Sequence, residues 1–314
     1  MSALHLTEFH GLPVFDLPEA DSTVELPEAD AVAWRLRYSW NAEEDFEQIW
    51  QRFLATVDSS RVTTLLFGAW SEAMYDDAPV AELQLLIDAA DRFPALRAFF
   101  LADIESEENE ISWIVQTDLA PLLKAFPALE ELGARGSHAE FTPLQHDSLR
   151  SLRLESGGMA VAVVRGVSES ELPALERLEL WLGSEEYGGD TTVADLAPLL
   201  SGTRFPALRH LGLQDSEIQD AIAEAVAQAP VVPMLESLSL SMGILTDAGA
   251  EALLSGQPLT HLQRLDLHHH FLTDAMVDRV QEALEPSGVD LDLSEQERPD
   301  DSNGRLWHYV AVAE

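Results

Sequence analysis

The sequence has no cysteine, few basic residues and no long apolar run, and each absence excludes a class of protein. Without cysteine the 314-residue chain forms no disulfide and offers no thiolate for catalysis or metal binding. No stretch approaches the about 18 consecutive apolar residues of a transmembrane helix, so no membrane span is expected. The opening residues, MSALHLTEFHGLPVF, lack the basic start and apolar block of a secretory signal. We therefore expect a cytoplasmic protein.

Basic residues are scarce: 18 lysines and arginines stand against 56 acidic residues, which gives a net charge of −38. A field of that sign repels phosphate backbones and anionic lipid surfaces, so we expect neither a nucleic-acid nor a membrane partner. The same field attracts basic proteins and peptides. It also keeps an acidic protein soluble without serving any recognition. Composition leaves both interpretations of the acidic charge open.

Two stretches in the C-terminal part of the chain repeat one pattern at a distance of 27 residues. LESLSL begins at Leu235 and LQRLDL begins at Leu262, and both place leucines with the spacing LxxLxL. A leucine and a Thr-Asp pair follow each copy, at Leu245 and at Leu272, and a helix-patterned run comes next. A fixed period of this kind is typical of a repeat array, in which each unit supplies one strand and one helix.

The equivalent core position can be followed through most of the chain. It falls on Leu65, Phe99, Leu132, Leu152, Leu178, Leu211, Leu238, Leu265 and Leu291. The interval of 20 residues between Leu132 and Leu152 is too short for a full helix, and it predicts a loop or a short turn on the outer side. The segments DLAPLLKAFPALEELGARG and DLAPLLSGTRFPALRHLGLQD, from Asp118 and Asp195, match each other closely. Repeat duplication explains that match.

The pattern resembles the leucine-rich repeats of the ribonuclease-inhibitor type, over about residues 60–295. The opening LTEFHGLPVF also resembles the start of bacterial repeat proteins of this class. The resemblance implies an α/β solenoid with a curved parallel β-sheet on the concave side, helices on the convex side and a cap at each end. One feature departs from the family, because its usual asparagine after each strand is replaced by Gly157, Gly183, Ser216, Gly243 and His270.

The whole chain, 1–314, is expected to form one leucine-rich-repeat domain. Residues 1–40 are interpreted as an N-terminal cap with the first strand, because prolines interrupt any regular run before residue 28. Residues 41–295 carry the repeats, and the acidic insertion DIESEENEISW that begins at Asp103 is expected to be an exposed loop. Residues 296–314 end in a strand-like run and are interpreted as a C-terminal cap that protects the final repeat.

The resemblance also implies where a partner binds, because the residues between the strand leucines of this family point into the concave face. Near the N-terminal end that face is apolar, with Leu66 and Phe100. Farther on, a tryptophan among arginines and acids has the composition of a binding hot spot. The alternative is that Trp181 folds onto its own sheet. The candidate partner-binding residues are Arg153, Glu155, Arg177, Glu179, Trp181, His210, Gln214, Asp215, Asp266 and His268.

A metal site at the C-terminal end of the array is the main chemical alternative. Asp266 and His268 share one face of a predicted strand, and Asp292 lies on the next strand. Imidazole and carboxylate ligands suit zinc or nickel, but a third convergent ligand is not assured, so we predict no metal and no cofactor. The chain has no GxSxG elbow and no phosphate loop. We predict a non-enzymatic scaffold for a protein or peptide, with a metal-dependent or small-molecule hydrolase near His268 as the weaker alternative.

Overall fold

The computed structural model of the chain describes residues 4–39, 44–72, 74, 77–138, 140–302 and 305–313. Its main feature is a twelve-stranded sheet in which each strand pairs with its neighbours in chain order. β1 and β2 are antiparallel, and the other pairs of this sheet are parallel. The strands are β1 (Glu8–Phe9), β2 (Leu12–Asp16), β3 (Ala33–Leu36), β4 (Thr64–Phe67), β5 (Ala98–Leu101), β6 (Glu131–Arg135), β7 (Ser151–Glu155), β8 (Arg177–Gly183), β9 (His210–Ser216), β10 (Ser237–Ser239), β11 (Arg264–Asp266) and β12 (Asp290–Asp292).

Helices alternate with the strands from β3 onward. They are α1 (Phe46–Thr56), α2 (Val80–Asp88), α3 (Ala120–Ala125), α4 (Val161–Glu169), α5 (Val193–Leu200), α6 (Gln219–Val226), α7 (Asp247–Ser255) and α8 (Asp274–Leu284). The described residues between β6 and β7 contain no helix, as the short interval there predicts. This alternation and the chain-order sheet confirm the leucine-rich-repeat solenoid. A separate hairpin follows, made of β13 (Asp300–Ser302) and β14 (Arg305–Trp307).

The helices of the described part of the chain are all too short or too polar to cross a membrane.

One side chain from each strand forms a continuous row through the core. The row is the one predicted from the sequence, and every member pairs with the next between Leu65 on β4 and Leu291 on β12. All members before Leu291 are almost fully buried, whereas Leu291 on the last strand is only partly covered. Burying a leucine or phenylalanine stabilises a fold by about 1.5–3 kcal/mol, so the row holds strands and helices together.

Aromatic side chains fill the N-terminal end of the core. Apolar residues recur three and four positions apart in this segment, which predicts a helix with one buried face, and the buried face of α1 includes Trp50 and Phe53. Both rings stack on Phe93, with ring centroids 5.6 and 6.4 Å apart. Asp45 caps the first turn by accepting the N–H of Gln48 at 2.8 Å, while the Gln48 side chain accepts the N–H of Asp45. This capping box fixes where the helix begins and which face meets the sheet.

Residues in the left-handed conformation turn the chain after the strands of the C-terminal half. Asp215, Met242, His269 and Glu295 occupy equivalent positions in four consecutive repeats and have φ between +52° and +68°. Neighbouring repeats stay hydrogen-bonded to each other at these positions, because Asp215 N–H donates to Ser241 O at 2.9 Å and Met242 N–H donates to His268 O at 2.8 Å. The backbone ladder therefore continues past the strand ends without the family's asparagine.

His270, which stands at one of these asparagine positions, joins two neighbouring repeats through its side chain. Its Nδ1 accepts the N–H of Leu272 at 3.2 Å, and its Nε2 donates to the carbonyl oxygen of Leu293 in the next repeat at 3.1 Å. The side chain is fully buried, and this burial lowers the pKa of the imidazole. A neutral imidazole keeps one acceptor and one donor, which is what the two partners require.

We expect His270→Ala to lower the free energy of unfolding by about 2 kcal/mol or more. The substitution leaves a buried amide and a buried carbonyl without partners, and each such group costs about 1–3 kcal/mol. His270→Asn restores a donor and an acceptor and should recover a large part of the loss. Urea unfolding of the three proteins measures both effects. An asparagine variant as unstable as the alanine variant would contradict the bridging role.

Candidate interaction surface

The sheet face opposite the helices, called the concave face from here on, carries the side chains that lie between the core leucines. The strand register places these side chains in rows that run across the sheet. One row consists of Thr64, Ala98, Glu131, Ser151, Arg177, His210, Ser237, Arg264 and Asp290. The next row consists of Leu66, Phe100, Gly133, Arg153, Glu179, Gly212, Ser239, Asp266 and Asp292.

The N-terminal third of the concave face is covered by the chain's own N-terminal segment, residues 4–14. His10 and Gly11 have φ of 51° and 70°, which is the conformation of a tight hairpin turn that folds β1 back. Phe9 meets Phe100 edge to face, with 5.6 Å between the ring centroids. The apolar contact as a whole comprises Leu6, Phe9, Leu12 and Val14 against Ala33, Leu66, Ala98 and Phe100. Leu66 and Phe100 are therefore buried and cannot contact a partner while the segment stays in place.

Buried polar contacts fasten the same segment. Arg35 Nη1 donates to Asp103 Oδ2 at 2.7 Å and to Leu6 O at 3.3 Å, while Leu6 N–H donates to Asp103 Oδ1 at 3.0 Å. Arg135 Nη2 donates to Leu4 O at 3.2 Å. Asp103 is wholly buried, and Ile104, Asn109 and Ile111 are buried too, so the prediction that the acidic insertion is an exposed loop is wrong for these residues. The carboxylate is buried because it neutralises Arg35 and binds the N-terminal backbone.

Charged side chains of alternating sign cross the middle of the concave face. We call these side chains the charge ladder; they are Arg135, Glu155, Arg153 and Glu179. Arg135 Nε donates to Glu155 Oε2 at 2.7 Å, and Arg153 Nη2 pairs with the other oxygen of Glu155. Arg153 Nε lies 3.6 Å from Glu179 Oε2. Both carboxylates are buried between cations. Such an arrangement makes each charge dependent on its neighbours.

Glu179 has further partners at the end of the ladder. Arg177 Nη2 donates to its Oε1 at 2.5 Å, and His210 Nε2 lies 3.1 Å from the same oxygen. Burial opposes ionisation of Glu179, but the hydrogen bond from His210 and the charges of Arg153 and Arg177 lower its pKa to about 2. The carboxylate therefore remains ionised near neutral pH.

Trp181 is covered, so the expectation of an exposed aromatic hot spot is wrong for this structure. Its exposure is 8%, and its indole N–H donates to Gln214 Oε1 at 3.2 Å. The Arg153 guanidinium lies over the ring, 5.6 Å from its centroid. The side chains packed around Trp181 are Ile111, Met242 and Val312, a small apolar cluster separate from the main core. Val312 belongs to the C-terminal segment, which the sequence pattern did not connect with Trp181.

Residues 309–313, which we call the C-terminal strap, run back across the carboxyl ends of the strands. Ala311 N–H donates to Met242 O at 2.7 Å, and Val312 N–H donates to Asp215 Oδ1 at 2.9 Å. The strap then reaches the segment after β5, where the hydroxyl of Ser112 donates to Ala313 O at 2.5 Å. A cap over the final repeat remains a prediction for this end of the chain. The strap itself contacts earlier repeats.

The C-terminal half of the concave face is open and polar. His268 Nδ1 lies 2.7 Å from Asp266 Oδ1, and this hydrogen bond raises the pKa of His268. Together with Asp292 these residues form the one group within the described chain whose donor atoms lie within 4.8 Å of one another and could hold a metal. Asp292 Oδ1 accepts from Ser294, and its Oδ2 faces Arg264 Nη2 at 3.1 Å. Each of the three side chains thus has partners within the protein.

The predicted site residues therefore fall into three groups. Arg153, Glu155, Arg177, Glu179 and His210 form one network, whereas the strap covers Trp181 and Asp215. Gln214 belongs to the second group because it accepts the indole N–H of Trp181. Asp266 and His268 lie at the open C-terminal end. The sequence pattern predicts Met242 on the concave face, but it does not identify Arg135, Ile111 or Val312 as part of the site. The alternation in ELGAR could have identified Arg135, but no local pattern reveals the other contacts.

Comparison with known proteins supports the fold. No protein-family model matches the sequence, and no curated protein matches it. The chain resembles a protein of Bacteroides fragilis known from a crystal structure, with a TM-score of 0.76 and 31% identity over 83% of this chain and 74% of that one. An internalin of Listeria monocytogenes matches with a TM-score of 0.35 and 15% identity over 78% and 68% of the two chains. That score is too low to support a conclusion.

Glu179→Gln should lower the free energy of unfolding at neutral pH by roughly 1.5–3 kcal/mol, because it removes a buried carboxylate that pairs with Arg153 and Arg177. The folded-state pKa of about 2 lies below the ordinary value of 4.5. The stabilisation is therefore present above pH 4.5 and is lost as the pH falls toward 2. Urea unfolding from pH 7 to pH 3 should show the two proteins converging.

The matched control is Glu251→Gln, which removes a carboxylate from the exposed pair with Arg279. That substitution should change stability little at any pH, because solvent screens an exposed pair. A stability difference between wild type and Glu179→Gln that stays constant down to pH 3 would contradict the role of the buried carboxylate.

Proposed function

Since the chain belongs to the same leucine-rich-repeat family as the Bacteroides fragilis protein, we propose that it is a non-enzymatic scaffold that binds a protein or a peptide on its concave face. The observation that carries the proposal is a contiguous polar patch on β8 to β12. Its members are Arg177, His210, Arg264, Asp266, His268, Asp290 and Asp292, all of them half-buried or exposed. Much of the rest of the concave face is covered by the chain itself or filled by the charge ladder.

The patch suits recognition by charge and hydrogen bonding. Arg177 and Arg264 supply guanidinium groups, and Asp266, Asp290 and Asp292 supply carboxylates on adjacent strands. Groups on a regular sheet are held at fixed spacings, so little side-chain entropy is lost when a partner pairs with them. Trp181 and Asp215 become available only if the strap moves away. The first contacts of a partner are therefore with the open patch.

A basic partner fits the charge of the protein. The net charge of −38 produces a long-range attraction for cations and raises the association rate of basic proteins or peptides. The same field argues against nucleic acid and anionic membranes as ligands. A cytoplasmic location agrees with a chain that has no cysteine to form disulfides.

Affinity capture from the source cell would supply the partner, and its binding kinetics test the surface. Asp290→Asn should lower the association rate constant roughly two- to tenfold at low salt, because rim charges act mainly on encounter. The matched control is Asp278→Asn, which removes the same charge from an exposed position on the convex helix α8. An effect of Asp278→Asn that equals or exceeds that of Asp290→Asn would place binding on the convex side and contradict the proposal.

Metal-dependent or small-molecule hydrolysis at the Asp266, His268 and Asp292 group is the second candidate, because their donor atoms lie within 4.8 Å of one another. A metal bound by the native state raises the melting temperature by mass action. Zinc or nickel should then stabilise the wild type and leave His268→Ala unchanged. Equal shifts in the two proteins, or no shift in either, would remove this candidate.

A further inference from the structure

The hydrogen bonds that hold the strap on the protein use its main chain. His269 Nε2 lies 3.1 Å from Tyr309 O, Met242 O accepts from Ala311 N–H, and Asp215 Oδ1 accepts from Val312 N–H. The hydroxyl of Ser112 donates to Ala313 O, which is the last hydrogen bond of the series. Contacts of this kind recognise an extended backbone and do not depend on which side chains the segment carries. They are the contacts by which proteins bind extended peptides.

Two side-chain sites accompany the backbone contacts. Val312 fills the apolar cluster of Trp181, Met242 and Ile111. Tyr309 packs edge to face against Phe271, with ring centroids 5.4 Å apart, and against His269 at 5.7 Å. The two sites lie three residues apart along the strap. Main-chain contacts for affinity and separated side-chain pockets for selectivity are the features of a peptide-binding track.

Asp215 is a buried acid that contacts the strap through one carboxyl oxygen and leaves the other without a partner among the described residues. Its carboxyl group is fully buried, its φ is +55°, and its Oδ2 has no hydrogen-bond partner in the described part of the chain. Burial raises the pKa of this carboxyl well above its ordinary value. A buried carboxyl with an unpartnered oxygen destabilises a fold, and such groups concentrate at functional sites. The one oxygen that is used binds the strap.

The strap is attached in a way that permits release. It is joined to the last repeat through residues 295–308, which include the hairpin of β13 and β14. The leucines that hold the repeats together are not part of its contacts. Val310 and Val312 are the two buried side chains of the strap, and a segment held by so few apolar contacts opens at a lower free energy than the whole protein. The strap can therefore leave its track while the solenoid remains folded.

Charge identifies the kind of segment that can replace the strap. Glu110 directly precedes Ile111 in the sequence, Glu217 lies two residues after Asp215, and Glu297 accepts the hydroxyl of Tyr309 at 2.8 Å. The strap residues 309–313 carry no basic side chain to pair with these acids. A second copy of the chain would bring another charge of −38 to the site and be repelled. A segment with lysine or arginine beside its apolar residues would be attracted.

We propose that the strap is an internal stand-in for a partner and that the track beneath it binds an extended peptide. The peptide carries a β-branched apolar residue at the position of Val312 and basic residues beside the apolar stretch. This inference rests on the proposed binding function and adds a second surface to it, which the partner reaches by displacing the strap.

A direct test uses a fluorescent peptide in which two arginines precede the strap sequence YVAVA, with anisotropy as the readout. In the unmodified full chain the strap competes at an effective concentration in the millimolar range. Val312→Asp prevents the strap from filling its own site, so this variant should bind the peptide at least tenfold more tightly than the unmodified chain. The matched control is Val24→Asp at an exposed valine, which should bind like the unmodified chain.

Specificity is tested with two altered peptides on the Val312→Asp variant. Replacing the second valine of YVAVA by aspartate should abolish binding, because aspartate cannot fill the apolar cluster. Replacing the two arginines by glutamates should weaken binding at least tenfold at low salt. If the glutamate peptide binds as tightly as the arginine peptide, the basic character of the partner is wrong.

Several results would overturn the inference. Val312→Asp that melts like the wild type and binds the peptide no more tightly excludes a displaceable strap. Val312→Asp that fails to fold shows that the strap is an integral part of the structure. Unmodified protein that dimerises in light scattering, with the dimer lost in Val312→Asp, identifies a second copy as the occupant.

The test also separates this inference from the proposed function. Asp290→Asn changes the open patch and should leave peptide binding to the Val312→Asp variant unchanged. A captured partner that depends on Asp290, with no peptide binding by any variant, would refute the track and leave the scaffold function standing. Peptide binding to the track, with no partner found for the open patch, would refute the scaffold function of the patch and leave the track standing.

Discussion

The lateral packing of the core row from Leu65 to Leu291 is the contact on which the rest of the structure depends. Each member can be buried only by the equivalent residues of the repeats before and after it, so the strands pair in chain order. The register that aligns the leucines also aligns the residues between them. The charge ladder is a consequence, because Glu155 meets Arg135 and Glu179 meets Arg153 on neighbouring strands.

The sequence predicts features that depend on this period and misses features that do not. The core row, the α1 stripe with Trp50 and the missing helix after Leu132 follow from local spacing, and the structure confirms them. The period also shows which residues face the concave side. It cannot show what covers them, because the cover is held by contacts between distant parts of the chain. Examples are the hydrogen bond between Leu6 and Asp103 and that between Ser112 and Ala313. The period places Trp181 on the correct face, but it gives no sign of the strap that covers this side chain.

Three arginines of this acidic chain neutralise buried carboxylates. Arg35, Arg135 and Arg153 pair with Asp103, Glu155 and Glu179, and the first two arginines also bind the N-terminal backbone. Buried pairs of this kind add little net stability but make one arrangement of the segments much better than others. The outer surface keeps the acidic excess, which is the property that favours a basic partner.

The chain's own segments cover much of the concave face, and hydroxyl-radical footprinting of the intact protein tests this cover most directly. Trp181 and Met242 are 8% and 4% exposed, whereas Trp113 and Trp307 are 52% and 47% exposed. Trp113 and Trp307 should be oxidised rapidly and Trp181 and Met242 slowly, as measured by mass spectrometry of the peptides. Oxidation of Trp181 as fast as that of Trp113 would contradict the account.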